Sequence, residues 1–198
     1  MFYDTVSNAH GLRHDPFKAI VAPRPIGWIG SKAADGTLNL APYSFFNAVS
    51  DRPKLVMFSS AGHKDSVRNI EETGAFTCSF VSRNLAESMN HSSIAAPHGD
   101  SEFAIAGLTP QNGRLVDAPF VGEAFAALEC RMTEIMRPKT LDGGVADSWI
   151  VFGQVVGIHI SEQIVRDGRL DMSIARPVAR MGYMDYSEAD KVFEMFRP

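Results

Sequence analysis

Cysteine is scarce in this chain: Cys78 and Cys130 are the only two among 198 residues. Neither belongs to a CxxC pair or has a pair of basic neighbours, and both lie in strand-like runs, Cys78 between Thr77 and Ser79, Cys130 between Glu129 and Arg131. They read as buried, reduced thiols; the rival reading, a redox-active disulfide, has nothing in the spacing to bring the two sulfurs together. Basic charge is short as well. A formal net charge of −4 and a pI near 5.8 remove the general positive field that nucleic acid requires, so no nucleic-acid partner is expected and any anion site must be local. Long apolar runs are missing: no stretch approaches the length that spans a bilayer, and Met1-Phe2-Tyr3-Asp4-Thr5 has neither a basic region nor an apolar core. The expectation is a cytoplasmic protein without membrane association. No Gly-x-Gly-x-x-Gly opens a helix after a strand, which argues against a resident dinucleotide-binding domain. The histidines make no metal set either. His10 and His14 flank Gly11 in a loop, while His91 and His98 lack Cys or carboxylate partners at zinc-like spacing, so no metal is expected.

What is present favours β structure. Hydrophobic residues make up 45% of the chain, enough for one sizeable core, and 16 glycines with 11 prolines suit a turn-rich β architecture better than a helical bundle. A single domain over 1–198 is expected. Phe76, Cys78 and Phe80 alternate with Thr77 and Ser79, the period of a half-buried strand. Asn84 starts a short helix, with Glu87 three residues on completing a capping-box pattern. His91 to Pro110 is loop-like, Glu102 to Ala106 excepted; such a connection can wall a binding site, be mobile, or make a subunit contact. Arg114 to Val116, Phe125 to Met136 and Trp149 to Ile160 are further strand candidates, and Glu162 to Val165 with Arg169 to Met172 reads as a hairpin, or as a short strand and turn, around Asp167-Gly168. In the Trp149 run, Val151, Gly153, Val155, Gly157 and His159 share one face, and two glycines there predict the close approach of another backbone or a flat ring.

The densest chemistry lies between Ile20 and Ile70. Val21 to Ser31 reads as extended, Ala34-Asp35-Gly36-Thr37 as a hairpin turn, and Leu38 to Ala41 as the returning strand. Pro42 to Ser50 is a junction rich in aromatic and hydrogen-bonding side chains. Asp51-Arg52-Pro53 then breaks the pattern before the apolar run Leu55 to Phe58, which stops at Ser59-Ser60. Downstream, Gly62-His63-Lys64-Asp65-Ser66 leads into a helix capped by Asp or Ser and closed by Gly74. Such a helix start offers free N–H groups and partial positive charge, to which Lys64, Ser66 and Arg68 add donors for a phosphate dianion. An ordinary surface helix with solvated charges is the plainer reading of the same residues.

The wording of these segments goes further. Ala22-Pro23-Arg24-Pro25-Ile26-Gly27-Trp28, Asn39 to Asn47, Phe58-Ser59-Ser60 and Lys64 to Ile70 closely resemble the flavin reductase-like family of FMN-binding split barrels, which includes flavoredoxin and the reductase components of two-component monooxygenases. The likeness continues through Gly74-Ala75-Phe76, Glu102-Phe103, Ala127 to Cys130, Gly153 to His159 and Pro177 to Gly182, nearly the whole chain. It implies an all-β split barrel of Greek-key type with a few short helices, and a homodimer with FMN near the interface. By the same resemblance, Ala41, Pro42, Tyr43, Ser44 and Asn47 line the isoalloxazine and ribityl chain. Ser59 and Ser60 meet the ribityl or phosphate groups, Lys64, Asp65 and Ser66 the phosphate, with Asp65 acting mainly through its backbone and as a cap. Arg24 and Trp28 fall at the flavin edge, and Arg180 at a C-terminal cofactor contact. The family more often has Arg at position 63, here His63, and Thr at position 66, here Ser66: the hydroxyl is kept and a permanent charge lost.

The implied activity is NAD(P)H-dependent flavin reduction, hydride passing from NADH or NADPH to flavin N5, with a partner monooxygenase as one destination of reduced flavin. A non-catalytic FMN carrier or sensor has the same fold and motifs and remains the alternative. Each residue has a rival reading too. Trp28 on a strand can be core, Arg24 and Arg180 can be surface or interface ion pairs, Ser59-Ser60 can simply end a strand, and Asn47 can order its own turn. His159 is either structural or the residue that positions a nicotinamide.

Overall fold

The structure, a computed structural model, describes residues 1–94, 96 and 100–197; His98 lies outside the described residues. A single turn, α1 (Phe17–Ile20), precedes β1 (Arg24–Pro25), β2 (Gly27–Lys32), β3 (Leu38–Tyr43), β4 (Phe46–Asp51) and β5 (Lys54–Ala61). Then come α2 (Asp65–Thr73), β6 (Ala75–Ser79), α3 (Ala86–His91), α4 (Glu102–Ile105), β7 (Pro110–Asn112), β8 (Pro119–Val121) and the long pair β9 (Ala126–Met136) and β10 (Ser148–Ile160). The chain ends with β11 (Val165–Arg166), β12 (Arg169–Leu170), α5 (Met172–Ala175), β13 (Val178–Arg180) and β14 (Tyr186–Glu188). The expected all-β class with few short helices is the one found. No helix among the described residues is long and apolar enough to cross a membrane.

Seven strands form one curled antiparallel sheet in the order β3-β2-β6-β9-β10-β5-β4, a half-barrel of the split-barrel kind. Its two edge strands are consecutive in sequence: only Ser44 and Phe45 separate β3 from β4. So short a link brings the ends of the two edge strands together at a seam, beside which the Ser59 N–H donates to the Phe45 carbonyl at 2.8 Å and extends the β4–β5 pairing. Edge strand β3 manages its outward backbone without a neighbour. The Leu40 N–H donates to the Glu102 carboxylate at 2.9 Å, and Pro42, two residues on and facing the same way, has no N–H to satisfy.

Two apolar cores lie on opposite sides of β2, which is why that strand is buried on both faces. Trp28 points into the outer core with Leu40, Leu85, Met89 and Phe103, while Ile29 points into the barrel with Phe58, Phe76 and Val151. Helix α2 plugs the barrel through Val67 and Ile70. It closes at Gly74, left-handed with φ +69, as its sequence predicts. A buried polar network ties the helix to the sheet: the Asn39 amide donates to Ser66 Oγ at 2.9 Å and Ser31 Oγ at 3.3 Å, and the Asn69 amide to Ser31 Oγ at 3.2 Å.

Three local expectations change. Residues 46–51 form a strand although their sequence reads as a junction, because pairing with β5 overrides weak propensity. Arg114 to Val116 is no strand; its three N–H groups turn inward onto the Glu129 carboxylate at 2.6–2.9 Å instead of joining a ladder. The Asn84–Glu87 capping box does not form: a turn of 3-10 helix covers Arg83–Leu85, and α3 starts behind it with no side-chain cap. The ring predicted against the β10 glycines is present and is the protein's own, since a Cβ on Gly153 would sit 2.4 Å from the Phe76 ring.

The tightest backbone approach is at Gly30, where a Cβ would lie 2.0 Å from the Pro119 carbonyl oxygen and 2.6 Å from Thr77 Oγ1. Because the neighbour is backbone, Gly30→Ala is expected to cost about 1–3 kcal/mol, lowering Tm by roughly 3–10 °C. An unchanged melting curve contradicts this packing.

Candidate functional site

At the seam the sheet opens into a cleft of about 510 Å³, bounded by the end of β3, the Ser44–Phe45 link, β5, the start of α2 and the loop after β13. Its described lining includes four cations, Lys18, Arg24, Lys64 and Arg180, and no carboxylate. In a chain of net charge −4 this is a local concentration of positive charge, the kind of setting to which composition confines any anion site. A second cavity of about 400 Å³ adjoins it, sharing Pro42, Tyr43, Lys64 and Ser93 and adding Asn39, Ala41, Asp65, Ser66 and Glu102.

Arg24 and Arg180 are cross-strand partners in the β1–β13 ladder. Arg24 is buried and holds the local frame together. It donates to the carbonyls of Lys18 and Val21, and to that of Met181 at 2.8 Å. Burial first, then the nearby Arg180 charge, pull its pKa below the ordinary value. Its buried Nε has no partner among the described residues, and a buried unpaired donor in a cationic cleft calls for an acceptor. Arg180 packs over Tyr186 at 4.4 Å, donates to the Tyr186 hydroxyl, and reaches the Tyr183 carbonyl at 2.6 Å.

The start of α2 supplies a second acceptor-seeking group. Lys64 occupies the N-cap position in extended conformation, no side chain caps the helix, and the first-turn N–H groups lack intrahelical partners. The expected capping role of Asp65 is not found, since its carboxylate is turned to Arg68. Lys64 makes no ion pair with another described residue. Ser66, fixed by Asn39, lines the cavity from the first turn. Below it the Tyr43 phenol is pushed up in pKa by burial, against hydrogen bonds to Ser66 and Ser60. Burial likewise raises Glu102, against the N–H of Leu40. These groups fit a phosphorylated planar ligand: unpaired amides, Lys64 and hydroxyls for the phosphate, and the Tyr43–Phe45 segment and Tyr186 for a ring.

Not every expected residue reaches the cleft. Arg24, Ala41, Pro42, Tyr43, Ser44, Ser59, Lys64, Asp65, Ser66 and Arg180 line one or both cavities. Trp28 is fully buried, its Nε1 donating to Ser92 Oγ at 2.8 Å; it stands behind the site and anchors Ser92, which lines the second cavity. Ser60 is buried and donates to the Gly62 carbonyl at 2.9 Å. Asn47 is exposed and accepts from the Ala48 N–H at 2.8 Å. Sequence reasoning missed the opposite wall, Met89, Asn90 and Ser93 at the end of α3 and Tyr183, Met184 and Tyr186 after β13. Their only signal was proximity to Arg180 or to an irregular connection.

His159 lines neither cavity. Its Nε2 meets Glu129 Oε1 at 2.6 Å and its ring lies on Phe120 at 4.4 Å. Glu129 is almost wholly buried. Burial alone would raise its pKa, but the N–H groups of Arg114 and Leu115, then His159 and the Val116 N–H, outweigh that and hold it at about 2 against an ordinary 4.5. A depressed carboxylate contributes stability above its ordinary value and loses it as pH falls through the folded value. The contribution, about 3 kcal/mol, should vanish between pH 4.5 and about 2. Urea titrations are expected to show Glu129→Gln less stable than wild type at pH 7, by about 2–3 kcal/mol, with the two curves converging in acid. Parallel curves would show that the carboxylate is not the titrating element.

Comparison with known proteins agrees with this geometry. The sequence model of the flavin reductase like domain matches residues 21–174. An uncharacterized protein of Aquifex aeolicus (strain VF5) is 34% identical over 177 residues, covering 86% of each chain. Among solved structures, nitrilotriacetate monooxygenase component B from Bacillus cereus superposes with a TM-score of 0.89 at 27% identity, covering 98% of each chain. Flavoredoxin of Desulfovibrio vulgaris (Miyazaki F) superposes with a TM-score of 0.75 at 25% identity, over 89% of this chain and 90% of that one.

Proposed function

The chain belongs to the flavin reductase-like domain family, and from that premise we propose that it is an FMN-binding oxidoreductase which takes its electrons from NADH or NADPH. The observation that carries the reading is the seam cleft with four cations and no carboxylate among its described lining residues. Similarity to flavoredoxin and to a monooxygenase component B supports it. Lys64, the first-turn amides of α2 and Ser66 would hold the phosphate; Ser44 and Ser59 would face the ribityl chain; Tyr43, Phe45 and Tyr186 would flank the ring, with Arg24 Nε and Arg180 as donors to its polar edge. Bound FMN would supply the electron chemistry, accepting at N5 the hydride that the nicotinamide gives up. The residues bind and orient the flavin, and no side-chain nucleophile is required.

We read the working form as a cytoplasmic homodimer of one flavin reductase-like domain, delivering reduced flavin to a partner monooxygenase. Exposed Val192, Phe193, Met195 and Phe196 support an apolar contact with another protomer. His159, held by Glu129, lies off the cleft, so a role in positioning nicotinamide would require the ring to approach from the β9–β10 side.

The purified protein should absorb near ~370 and ~450 nm and release FMN on denaturation. Mixed anaerobically with NADH or NADPH, the yellow form should bleach. Colour that persists would identify a carrier or sensor, and a colourless protein that takes up no FMN would remove the flavin reading. Lys64→Ala should weaken FMN binding about tenfold or more, the worth of one charge-assisted contact, with Tm unchanged because Lys64 is exposed. Equal affinity would take the phosphate away from α2.

A further inference from the structure

The four cations of the cleft fall into two groups. Lys64 also lines the second cavity, beside Ser66, whereas Lys18, Arg24 and Arg180 do not. Arg24 and Arg180 stand opposite each other in the β1–β13 ladder. Lys18 is brought to them by α1, which is pinned on both sides. Arg24 donates to the Lys18 and Val21 carbonyls, and α1 rests so closely on the turn after β13 that a Cβ on Gly182 would lie 2.4 Å from Ala19 Cβ. The three cations thus reach one cleft from three separate segments, α1, β1 and β13.

Gathering like charges is unfavourable without a counter-charge. None of the three forms an ion pair among the described residues, and no carboxylate lines the cleft. Burial, then the Arg180 charge, lower the pKa of Arg24, the mark of a cation short of a partner. Besides Lys64, the other titratable groups of the described lining are the phenols of Tyr43, Tyr183 and Tyr186. The phosphate of FMN is provided for at the α2 start, and the oxidised flavin ring is neutral, so oxidised FMN leaves this second group uncompensated. Reduction changes that. Hydride brings both electrons to N5; the ring then carries one negative charge over N1 and the C2 carbonyl, unless it takes a further proton and stays neutral.

We propose that Lys18, Arg24 and Arg180 form a counter-charge site for anionic reduced flavin, so that the protein holds FMN more tightly after reduction than before it. This rests on the cleft being the FMN site. The reaction is then FMN + NAD(P)H → FMNH− + NAD(P)+, with the nicotinamide oxidised, the flavin reduced and no proton taken up.

Oxidised FMN is first titrated into the apo-protein, and the midpoint potential of the bound flavin is then measured against reference dyes, with free FMN alongside. The expected midpoint lies at least about 30 mV above that of free FMN, equivalent to tenfold tighter binding of the reduced form. Between about pH 6 and 7 it should fall by about 30 mV for each tenfold drop in proton activity, one proton per two electrons, where a neutral product gives about 59 mV. Lys18→Met and Arg180→Met remove charge while Arg24 stays to clamp the frame. The double variant should lose at least about 30 mV, a tenfold loss of preference for the reduced form. Lys18 is exposed, so Lys18→Met alone should fold as wild type and shift the midpoint in the same direction. Lys64→Met, at the phosphate, should weaken both forms alike and leave the midpoint in place. A wild-type midpoint at or below that of free FMN overturns the proposal. So do Lys18 and Arg180 variants that weaken oxidised and reduced FMN equally, which would assign both residues to the phosphate. A protein that takes up no FMN fails at the first titration and loses the cofactor reading and this site together, whereas uptake with an unshifted midpoint removes the counter-charge site alone.

Discussion

The two-residue link between β3 and β4 is the constraint on which the rest of the molecule depends. It joins strands at opposite edges of a seven-stranded sheet, so the sheet must curl until those edges meet, and they meet at Tyr43–Phe46. An antiparallel sheet closed this way keeps a rift where edge backbones face each other without a continuous ladder. Pro42 and the Glu102–Leu40 bond satisfy the outer edge, and α2 fills the barrel behind it. The helix enters at the rift, and its uncapped start borders the cleft there.

Charge is distributed to the same end. A chain of net −4 draws Lys18, Arg24, Lys64 and Arg180 into one cleft and turns Asp65 aside onto Arg68. Holding these cations together opposes folding. Arg24 meets that cost by donating to three backbone carbonyls that tie α1, β1 and the turn after β13 into one unit. Its Nε and the first-turn amides of α2 are polar groups without a hydrogen-bond partner among the described residues. On the far side of the sheet Glu129 does the reverse, with every donor around it satisfied by one carboxylate. That site has the character of a structural clasp, since its groups are consumed internally.

The sequence made the fold legible where periodicity and turn chemistry agree, as in the Asp35-Gly36 hairpin, the Gly74 helix stop and the long β9–β10 pair. It was silent where tertiary pairing decides, as in β4, and misleading at Arg114–Val116, whose N–H groups answer to a carboxylate distant in sequence. The α2 start and the Tyr43–Ser44 junction could be named because they are contiguous and wear the family's wording. Trp28 and Asn47 share that wording but not the cleft: strand alternation turns the indole into the outer core, and Asn47 projects outward on an edge strand. The α3 and β13–β14 wall carries no local motif, and only three-dimensional closure brings it opposite the junction.

The central claim is that the seam cleft recognises a phosphorylated flavin through its cations and helix amides. Titrating the apo-protein with FMN and with riboflavin, which differ only by the phosphate, tests it directly. The account predicts that FMN binds tighter by at least roughly 30-fold, the worth of two or more charge-assisted contacts, and that the difference shrinks as salt is raised. Equal affinity for the two, insensitive to salt, would contradict it.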